Sequence, residues 1–419
     1  MRDHLLGNES SDHDFATDAT PEEVIALFNH VIPTGILHGT VTVIFRGEHF
    51  EVTTFRTESG YADNRHPDSI EFVSDLSEDL SRRDFTINAL AVDTRDGSII
   101  DEHAGLDDLK NRILRAIGSP VLRFTEDSLR ILRGYRFSTV LEFTFDTATR
   151  QAAKSLGYTI SNISVERIRD ELNKMLSANR PSIGLVAMKE DGFLKYILPE
   201  LTMGFDIAQK GIHKFDVCMH NIYSCDGAPK ENLIVRWAAL LHDVGKPESL
   251  SIDDNGLPTF YHHERISASL ADTILQRLKF PNNERNRINH LITHHMFHYT
   301  PEWTDAAIRR FISKVGIDYL DDLFLLRFAD SYGASGKPSN DRLLLEFIER
   351  INTILEEESA LSIRDLAITG KDLISSGIPQ GPFIGHILKE LLETVLDDPS
   401  NNTKERLIII SKRLYEKLS

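Results

Sequence analysis

Three carboxylates near the start of the chain have spacing suited to a divalent-metal site. Asp12 and Asp14 lie two residues apart in SSDHDFAT, and alternate side chains of a strand project from one face. Glu51, in EVTTFR, falls on the second strand of a predicted hairpin. Carboxylate oxygens suit Mg²⁺, and a two-metal site assists the attacking and leaving oxygens of nucleotidyl transfer. An isolated Asp-x-Asp is more often a polar turn, so this hypothesis depends on its surroundings.

A second group of residues has the composition of a transition-metal site. His220, the pair His242-Asp243, and Asp330 lie in HNIY, LLHDVGKP and RFADSYG. Imidazole together with carboxylate suits Mn²⁺, Ni²⁺, Co²⁺ or Fe²⁺ better than Mg²⁺. A metal held in this way lowers the pKa of bound water and favours hydrolysis. Single histidines are usually structural, so the prediction depends on the whole set.

A third motif could read a base. Asp127 and Arg130 lie three residues apart in EDSLRILRGYRF, which would place them on one face of a helix. The carboxylate can accept from the exocyclic amine of C or A, and the guanidinium can donate to the neighbouring ring acceptors. U and G present the opposite pattern. Arg133 and Arg136 continue along the helix; the alternative is a surface ion pair with solvated arginines.

The elements that must position these residues change along the chain. The first hundred residues indicate a mixed α/β fold, with a helix at 21–28 and a hairpin of strands 40–45 and 50–55. From about residue 122 the apolar periodicity is helical, as in SVERIRDELNKML with Ser164 as an N-cap. Glycine and proline at 255–258 and 333–338 predict loops.

Composition limits the possible functions. The 419 residues predict two or three domains, and 41% apolar with 26% charged residues is ordinary for a globular protein. The sequence contains no run of about 18 consecutive apolar residues, so no membrane span is predicted. Cys218 and Cys225 are expected to be buried free thiols, which fits a reducing cytoplasm. The net charge of −17 argues against indiscriminate nucleic-acid binding, although the basic stretch 404–417 is a candidate RNA-binding face or a solvated helix.

Six motifs occur in one order: RDHLLG, SDHDFAT, HGTVTV, EVTTFR, RRDFTINAL and EDSLRILRGYRF. This ordered set resembles the class II tRNA nucleotidyltransferases, which include CCA-adding enzymes and bacterial poly(A) polymerases. The resemblance covers 1–180 and resumes in GKDLISSGIPQGPFIGHIL (370–388), followed by Asn402 and Lys404. It implies a nucleotidyltransferase head of the DNA polymerase beta type with a mixed sheet, followed by mostly α-helical neck, body and tail regions. The expected domains are a head at 1–120, a neck and body with the nucleotide-selecting helix at 121–205, a metal-binding domain at 210–335 and a tRNA-binding tail at 336–419.

The resemblance also implies roles for particular residues. Asp12 and Asp14 would hold Mg²⁺, and Glu51 would support the site or orient the primer 3′-hydroxyl. Arg2 and Arg83 would contact the triphosphate, since a guanidinium suits phosphate oxygens. Within the selecting helix, Asp127 and Arg130 would choose CTP and ATP without a template. Arg133 and Arg136 would contact nucleotide or phosphate. Asp84 is equally compatible with a scaffolding role and a site role.

The order of the His and Asp motifs resembles the HD phosphohydrolase superfamily. It implies a metal-dependent phosphatase, 2′-nucleotidase or cyclic phosphodiesterase activity. Lys246, His263 and His294 (or its neighbour His295) occupy positions where further ligands or phosphate contacts occur. For Lys246, a charge at a helix C-terminus is an equally good interpretation.

Alternatives remain within this framework. The stretch 57–81 has the length of the flexible loop that adenine addition requires, which favours CCA addition over CC addition; poly(A) synthesis is distinguished poorly. Family members carry a strand and a Gly-Gly pair immediately before the Arg-Asp that is Arg2-Asp3 here, so we expect a misplaced start or a truncation. A different class is an HD phosphohydrolase that uses a disabled head to bind RNA. A non-enzymatic RNA-binding protein would have no reason to keep both ligand sets.

Overall fold

The computed structural model of the chain describes residues 1–8, 14–59, 69–211, 213–338, 340–357 and 360–418. As predicted, a mixed α/β head precedes a mostly helical remainder. The strands are β1 (Asp14–Thr17), β2 (Val31–Gly35), β3 (Thr40–Phe45), β4 (Glu48–Thr54), β5 (Arg56–Ser59), β6 (Ser69–Phe72), β7 (Leu90–Val92), β8 (Ile99–Asp101), β9 (Ile113–Leu114), β10 (Thr144–Phe145), β11 (Leu250–Ile252) and β12 (Pro258–Phe260).

The helices follow in chain order. They are α1 (Arg2–Leu5), α2 (Pro21–Leu27), α3 (Leu76–Ser81), α4 (Gly105–Asn111), α5 (Pro120–Glu126), α6 (Leu129–Val140), α7 (Thr147–Leu156), α8 (Val165–Leu176), α9 (Ser182–Glu190), α10 (Pro199–Thr202), α11 (Val217–Gly227), α12 (Leu233–Leu241), α13 (Lys246–Ser249), α14 (His263–Arg277), α15 (Asn282–His294), α16 (Asp305–Val315), α17 (Leu320–Ser335), α18 (Arg342–Glu356), α19 (Gly370–Ser375), α20 (Pro382–Asp397) and α21 (Lys404–Leu418). Within the described ranges, none of them combines the length and the apolar character needed to span a bilayer.

The head contains a four-stranded sheet of order β1-β4-β3-β2, in which β1 runs parallel to β4 and the other neighbours are antiparallel. The predicted hairpin is confirmed as β3–β4. Its turn is tighter than the sequence suggested, because Arg46 and Gly47 both have positive φ (53° and 86°) and β4 begins directly after them. The predicted helix at 21–28 is confirmed as α2, which begins with a capping box between Thr20 and Glu23.

The helical part is built on one continuous apolar core that begins in the head and runs into the tail. Helix α8 follows its predicted apolar face, with Leu172 and Met175 almost fully buried. Ser164 stands at its N-cap position as predicted, but its side chain makes no capping hydrogen bond.

Two helices of the second half approach each other closely. Gly333 lies inside α17, where an added Cβ would be 2.0 Å from Ser224 Oγ and 2.7 Å from the carbonyl oxygen of His220 on α11. The prediction of a loop over 333–338 is therefore wrong for its first three residues. The helix ends at Gly336, which has a φ of 70°.

The tail has its own apolar core among α19, α20 and α21. Lys404 Nζ lies 2.6 Å from Asp372 Oδ1, and Asn402 accepts from the N–H of Ala367 at 2.7 Å. Lys404 therefore contacts α19 itself, and Asn402 contacts the segment that leads into it.

Candidate active site and candidate metal centre

Two of the three carboxylates expected to share a divalent-metal site lie side by side in the head. Strand β1 pairs with β4 in parallel, and Asp14 is the register partner of Glu51. Partnered residues of adjacent strands project from the same face of a sheet, so both carboxylates share one face. Both residues are exposed, and among the described residues neither side chain has a hydrogen bond or ion pair. Asp12 lies outside the described residues.

Three of the predicted arginines surround one aromatic ring. The guanidinium carbons of Arg2, Arg133 and Arg136 lie 4.9, 5.4 and 3.8 Å from the ring centroid of Phe137. The structure therefore brings the N-terminal arginine against helix α6, although the chain separates them widely. Phe137 was not predicted as a site residue; its place next to an arginine in YRF was the available signal.

Each of these arginines also has a carboxylate partner: Asp3, Asp84 and Glu171, respectively. Arg133 Nη2 lies 2.7 Å from Asp84 Oδ2. Burial opposes ionisation of Asp84, but Arg133, Asn88 and a backbone N–H together hold its pKa below its ordinary value. Asp84 is therefore an ionised, buried anchor for an arginine, which favours the scaffolding interpretation of this residue.

Asn88 connects the arginines of the head, and sequence reasoning missed it. Its Oδ1 accepts from Arg2 at 2.7 Å, its carbonyl oxygen accepts from Arg83 at 3.1 Å, and its Nδ2 donates to Asp84 at 2.9 Å. Arg83 also contacts the buried Asp79 at 3.2 Å. A polar residue between two apolar ones in RRDFTINAL was the only sequence signal for this connection.

Asp127 and Arg130 do not share a helical face. Asp127 has extended backbone (φ −138°, ψ 106°) between α5 and α6, and α6 begins two residues later. Its Oδ2 accepts from Arg167 Nη2 at 3.0 Å, whereas Arg130 Nη1 donates to Glu126 at 2.7 Å. The premise of an i,i+3 pair on one helix is thus wrong. Both side chains are nevertheless fixed by other partners at the junction of these two helices.

The predicted His and Asp ligands converge in the second half of the chain. His220 Nε2 lies 3.1 Å from His242 Nε2, 3.3 Å from Asp243 Oδ2 and 3.2 Å from Asp330 Oδ1. His242 Nε2 lies 3.4 Å from Asp243 Oδ2 and 3.6 Å from Asp330 Oδ1. Ligands about 2.1 Å from one metal are about 3.0–3.4 Å apart at angles of about 90–109°, so this donor set fits a cation.

The surroundings orient these donors. His242 Nδ1 is hydrogen-bonded to the carbonyl oxygen of Ala239 at 2.9 Å, which leaves Nε2 for a ligand. Arg327 Nη1 donates to Asp330 Oδ2 at 2.6 Å, so the other oxygen of this carboxylate faces the imidazoles. Arg327, three residues before Asp330 on α17, was not predicted as part of the site.

Among the further contacts predicted, His263 and Lys246 reach the centre, and of the alternatives His294 and His295 only His295 does. His263 Nε2 lies 3.1 Å from Asp243 Oδ1, and Lys246 Nζ lies 2.6 Å from Asp243 Oδ2. His294 does not: its ring lies against His290, with centroids 4.2 Å apart. Its neighbour His295 is buried, with Nε2 3.7 Å from Asp243 Oδ1. One residue along a helix end turns the side chain by about 100°, which periodicity alone does not resolve to a single residue.

The charges of the centre are strongly coupled. Burial opposes a charge on His242, but Asp243 and Asp330 raise its pKa to about 10. Burial, together with the neighbouring His242, lowers the pKa of His295 to about 3. Burial also lowers the pKa of His213, which faces His220 edge-on, to about 4. The two carboxylates require positive charge between the imidazoles, and a proton or a metal cation can supply it.

Similarity to known proteins defines the class of this chain as nucleotidyltransferases of the poly(A) polymerase type. Family models match residues 1–115 (Poly A polymerase head domain), 142–204 (the RNA and SrmB binding site of polymerase A) and 259–410 (tRNA nucleotidyltransferase domain 2). The CCA-adding enzyme of Lactobacillus helveticus is 54% identical over 428 residues, covering 97% of this chain and 90% of the relative. That of Lactobacillus johnsonii is 34% identical over 407 residues, covering 96% and 89%. The chain belongs to the family of CCA-adding enzymes, which are class II tRNA nucleotidyltransferases.

A solved structure agrees in fold. The CCA-adding enzyme of Bacillus stearothermophilus in complex with CTP is 29% identical and matches with a TM-score of 0.75 over 100% of this chain and 93% of that chain. The recognition drawn from the six ordered motifs and the predicted fold class are thereby confirmed.

Proposed function

We propose that the chain adds C, C and A to tRNA 3′ ends by two-metal nucleotidyl transfer with Mg²⁺, using CTP and ATP. The observation that carries this proposal is the in-register pairing of Asp14 with Glu51 on parallel neighbouring strands. The named activity of the relatives supports the reaction, and the solved complex with CTP supports the substrate class. A cytoplasmic location, where tRNA matures, belongs to the same proposal.

The exposed carboxylate pair fits a hard cation. Asp14 and Glu51 offer oxygen donors on one face, and no side chain in the described part of the chain competes for them. Asp14 and Asp12 would hold Mg²⁺, which stabilises charge on the transferred phosphate when it is bound. Glu51, beside Asp14, would complete this oxygen-rich face and accept a hydrogen bond from the primer 3′-hydroxyl.

The arginine cluster around Phe137 would bind the triphosphate. Arg2, Arg133 and Arg136 already have carboxylate partners, so a phosphate would exchange with, or add to, contacts that hold the guanidinium groups in place. Arg83 joins this cluster through Asn88 and would contribute a fourth guanidinium.

Asp127 and Arg130 would select the base. Arg130 is 8% exposed and anchored by Glu126, so its free donors have a defined direction. Asp127 is held by Arg167. Asp127 lies between α5 and α6, and Arg130 lies in the first turn of α6. We propose that these two residues together read C and A.

The tail would bind the tRNA. Lys412, Arg413 and Lys417 are exposed on α21 and have no acidic partner within the described part of the chain. Their positive charges would contact phosphates of the tRNA backbone, although the chain as a whole carries a net negative charge.

An extension assay tests the proposal. A labelled tRNA that lacks its terminal CCA is incubated with Mg²⁺ and with CTP alone, ATP alone, both, or UTP and GTP. CCA addition predicts two additions with CTP alone and a third only when ATP is also present. A product that stops after CC when ATP is supplied would instead identify a CC-adding enzyme. Long A-tracts would identify a poly(A) polymerase, and no extension would favour the disabled head.

A second function is favoured by the buried His–Asp cluster. We propose that His220, His242, Asp243 and Asp330 hold a divalent transition metal that supports hydrolysis of a phosphate ester, as in the HD phosphohydrolases. Imidazole and carboxylate donors at 3.1–3.6 Å, all buried except the half-buried Asp330, support this proposal. The metal would supply Lewis-acid catalysis when bound.

Separate variants test the two functions. Asp243→Asn should remove metal retention and any hydrolysis of phosphomonoesters or 2′,3′-cyclic phosphates, and it should spare tRNA extension. Asp14→Asn should remove tRNA extension and should spare metal retention and any such hydrolysis. If either variant, while folded, lost both activities, the proposal of two independent sites would fail.

A further inference from the structure

Three flat side chains form a column at the C-terminal end of α15. The ring of Tyr319 lies 4.0 Å from that of His290, and the ring of His290 lies 4.2 Å from that of His294, centroid to centroid, with interplanar angles of 30° and 31°. The guanidinium carbon of Arg287 lies 5.1 Å from the ring centroid of Tyr319. A cation therefore closes one end of the column, and the imidazole of His294 forms the other end.

Hydrogen bonds hold the two imidazoles of this column in place. His290 Nε2 donates to the carbonyl oxygen of Val315 at 2.7 Å, and His294 Nδ1 donates to the carbonyl oxygen of His290 at 2.9 Å. Burial, together with the neighbouring His294, keeps the pKa of His290 below its ordinary value, so this ring is neutral. The ring of His294 therefore has a fixed orientation. One face lies against His290, and no described aromatic ring stacks on the other.

The imidazole of His294 lines a groove of about 280 Å³ between the end of α15 and helix α16. The groove also has an apolar wall, which consists of Met296, Phe297, Trp303 and Phe311. Met296 is 58% exposed, so this wall is open to solvent. Pockets for drug-sized ligands have volumes of about 300–1,000 Å³, so this groove suits one group at the small end of that range.

The groove contains one uncompensated positive charge. Lys314 lines it and is exposed, and no acidic side chain in the described part of the chain pairs with this lysine. Arg310 also lines the groove, but its charge is shared with Glu393 at 2.8 Å and Asp397 at 2.6 Å. The groove therefore combines a flat ring, an apolar wall and a single cation that can contact a phosphate.

We infer that this groove binds one unpaired nucleotide of the tRNA substrate, with its base stacked on His294 and a backbone phosphate at Lys314. A base is a flat ring that extends the column, and unpaired RNA bases are commonly bound by stacking on aromatic and histidine side chains. One cation suits one phosphate rather than a long stretch of backbone. The inference rests on the proposed function, because it takes tRNA as the partner, and it adds a contact beyond the basic residues of α21.

Tryptophan fluorescence tests the inference directly. The chain has two tryptophans: Trp237 is fully buried in the core, whereas Trp303 lines the groove. A tRNA transcript lacking CCA is titrated into the full chain, and the tryptophan emission is corrected for absorption by the RNA. The tRNA should quench this emission, because a base then lies in the groove. The quenching should disappear in Trp303→Phe, which keeps an aromatic ring in the wall.

Affinity measurements with the same transcript separate the two proposed contacts. His294→Ala should raise the Kd about 5–100-fold because a stacking contact with a base is lost, and His294→Phe should restore most of the affinity. Lys314→Gln should weaken binding and lower the slope of log Kd against log salt concentration by about one. Lys230→Gln removes an exposed lysine outside the groove and should change neither quantity.

The outcomes distinguish this inference from the proposed function. Absence of quenching in the wild-type chain, or an unchanged Kd in a folded His294→Ala variant, would overturn the inference; CCA addition by the same wild-type chain would leave the proposed function intact. A wild-type chain that neither bound nor extended the tRNA would overturn both. Quenching by AMP but not by tRNA would assign the groove to a free nucleotide and would also overturn the inference. Thermal unfolding checks the fold of each variant, and the quenching of the wild-type chain is decisive even if a variant is unstable.

Discussion

Replacing Asp127 separates its role in holding a helix from its proposed role in reading a base. Its Oδ1 accepts the N–H of Leu129, the first residue of α6, at 2.9 Å, and its Oδ2 accepts from Arg167 at 3.0 Å. Asp127→Ala removes both contacts. A lost cap costs about 1–2 kcal/mol, and a partly exposed ion pair contributes below about 1 kcal/mol. We therefore expect the free energy of unfolding to fall by about 1–3 kcal/mol.

Asp127→Asn is the informative variant because asparagine keeps the capping oxygen. With Oδ1 held by the N–H of Leu129, the amide nitrogen takes the position of Oδ2 and presents a donor instead of an acceptor. Stability should change by less than about 1 kcal/mol, since only the ion pair with Arg167 is weakened. Discrimination against UTP and GTP should fall about 10–100-fold, because one charge-assisted hydrogen bond contributes about 1.5–3 kcal/mol.

Urea unfolding measures the first effect, and single-turnover incorporation of each of the four nucleotides measures the second. We expect relaxed nucleotide selection in both variants but a marked loss of stability in the alanine variant only. If Asp127→Asn kept the full preference for CTP and ATP, Asp127 would be a helix cap and nothing more.

Other consequences concern stability and reactivity. Asp84→Asn should lower the free energy of unfolding by about 2–3 kcal/mol, by leaving Arg133 without its anion, and should raise the KM for nucleotides. The pKa of Asp84 is lowered in the folded chain, so the ionised carboxylate stabilises the fold at pH values above the unfolded carboxyl pKa of about 4. This stabilisation is lost as the pH falls below that value. In urea titrations, the difference in free energy of unfolding between wild type and Asp84→Asn should therefore shrink at low pH. Gly333→Ala should force α17 away from α11, lowering both the melting temperature and metal retention by elemental analysis. Cys218 and Cys225 are buried, and burial raises the pKa of the first to about 12 and raises that of the second as well, so a thiol reagent should label neither in the native chain and both in denaturant.

The features predictable from the sequence were those that a short segment determines. The hairpin β3–β4 follows from two segments rich in β-branched and aromatic residues around Arg46-Gly47, and helix α8 follows from its apolar period. The convergence of Asp14 and Glu51 was also predictable, because the resemblance assigns both to one metal site; the parallel pairing of β1 with β4 that brings them together was not.

The contacts that were missed depend on tertiary packing. The sequence spacing of Asp127 and Arg130 gave no sign that the backbone becomes extended between them, so that Arg167 and Glu126 become their partners. Gly333 was assigned to a loop because glycine usually marks one. Here it is required inside a helix by the close approach of another helix.

The role of Asp14 and Glu51 in nucleotidyl transfer is measured most directly by CTP incorporation into tRNA lacking CCA, at saturating Mg²⁺. The wild-type chain is compared with Asp14→Asn and Glu51→Gln. The exposed Asp18→Asn, just beyond the end of β1, is the matched control. We expect at least a hundredfold loss of incorporation for Asp14→Asn, a clear loss for Glu51→Gln, and wild-type incorporation for Asp18→Asn. Wild-type incorporation by Asp14→Asn would contradict the placement of the reaction on this face of the sheet.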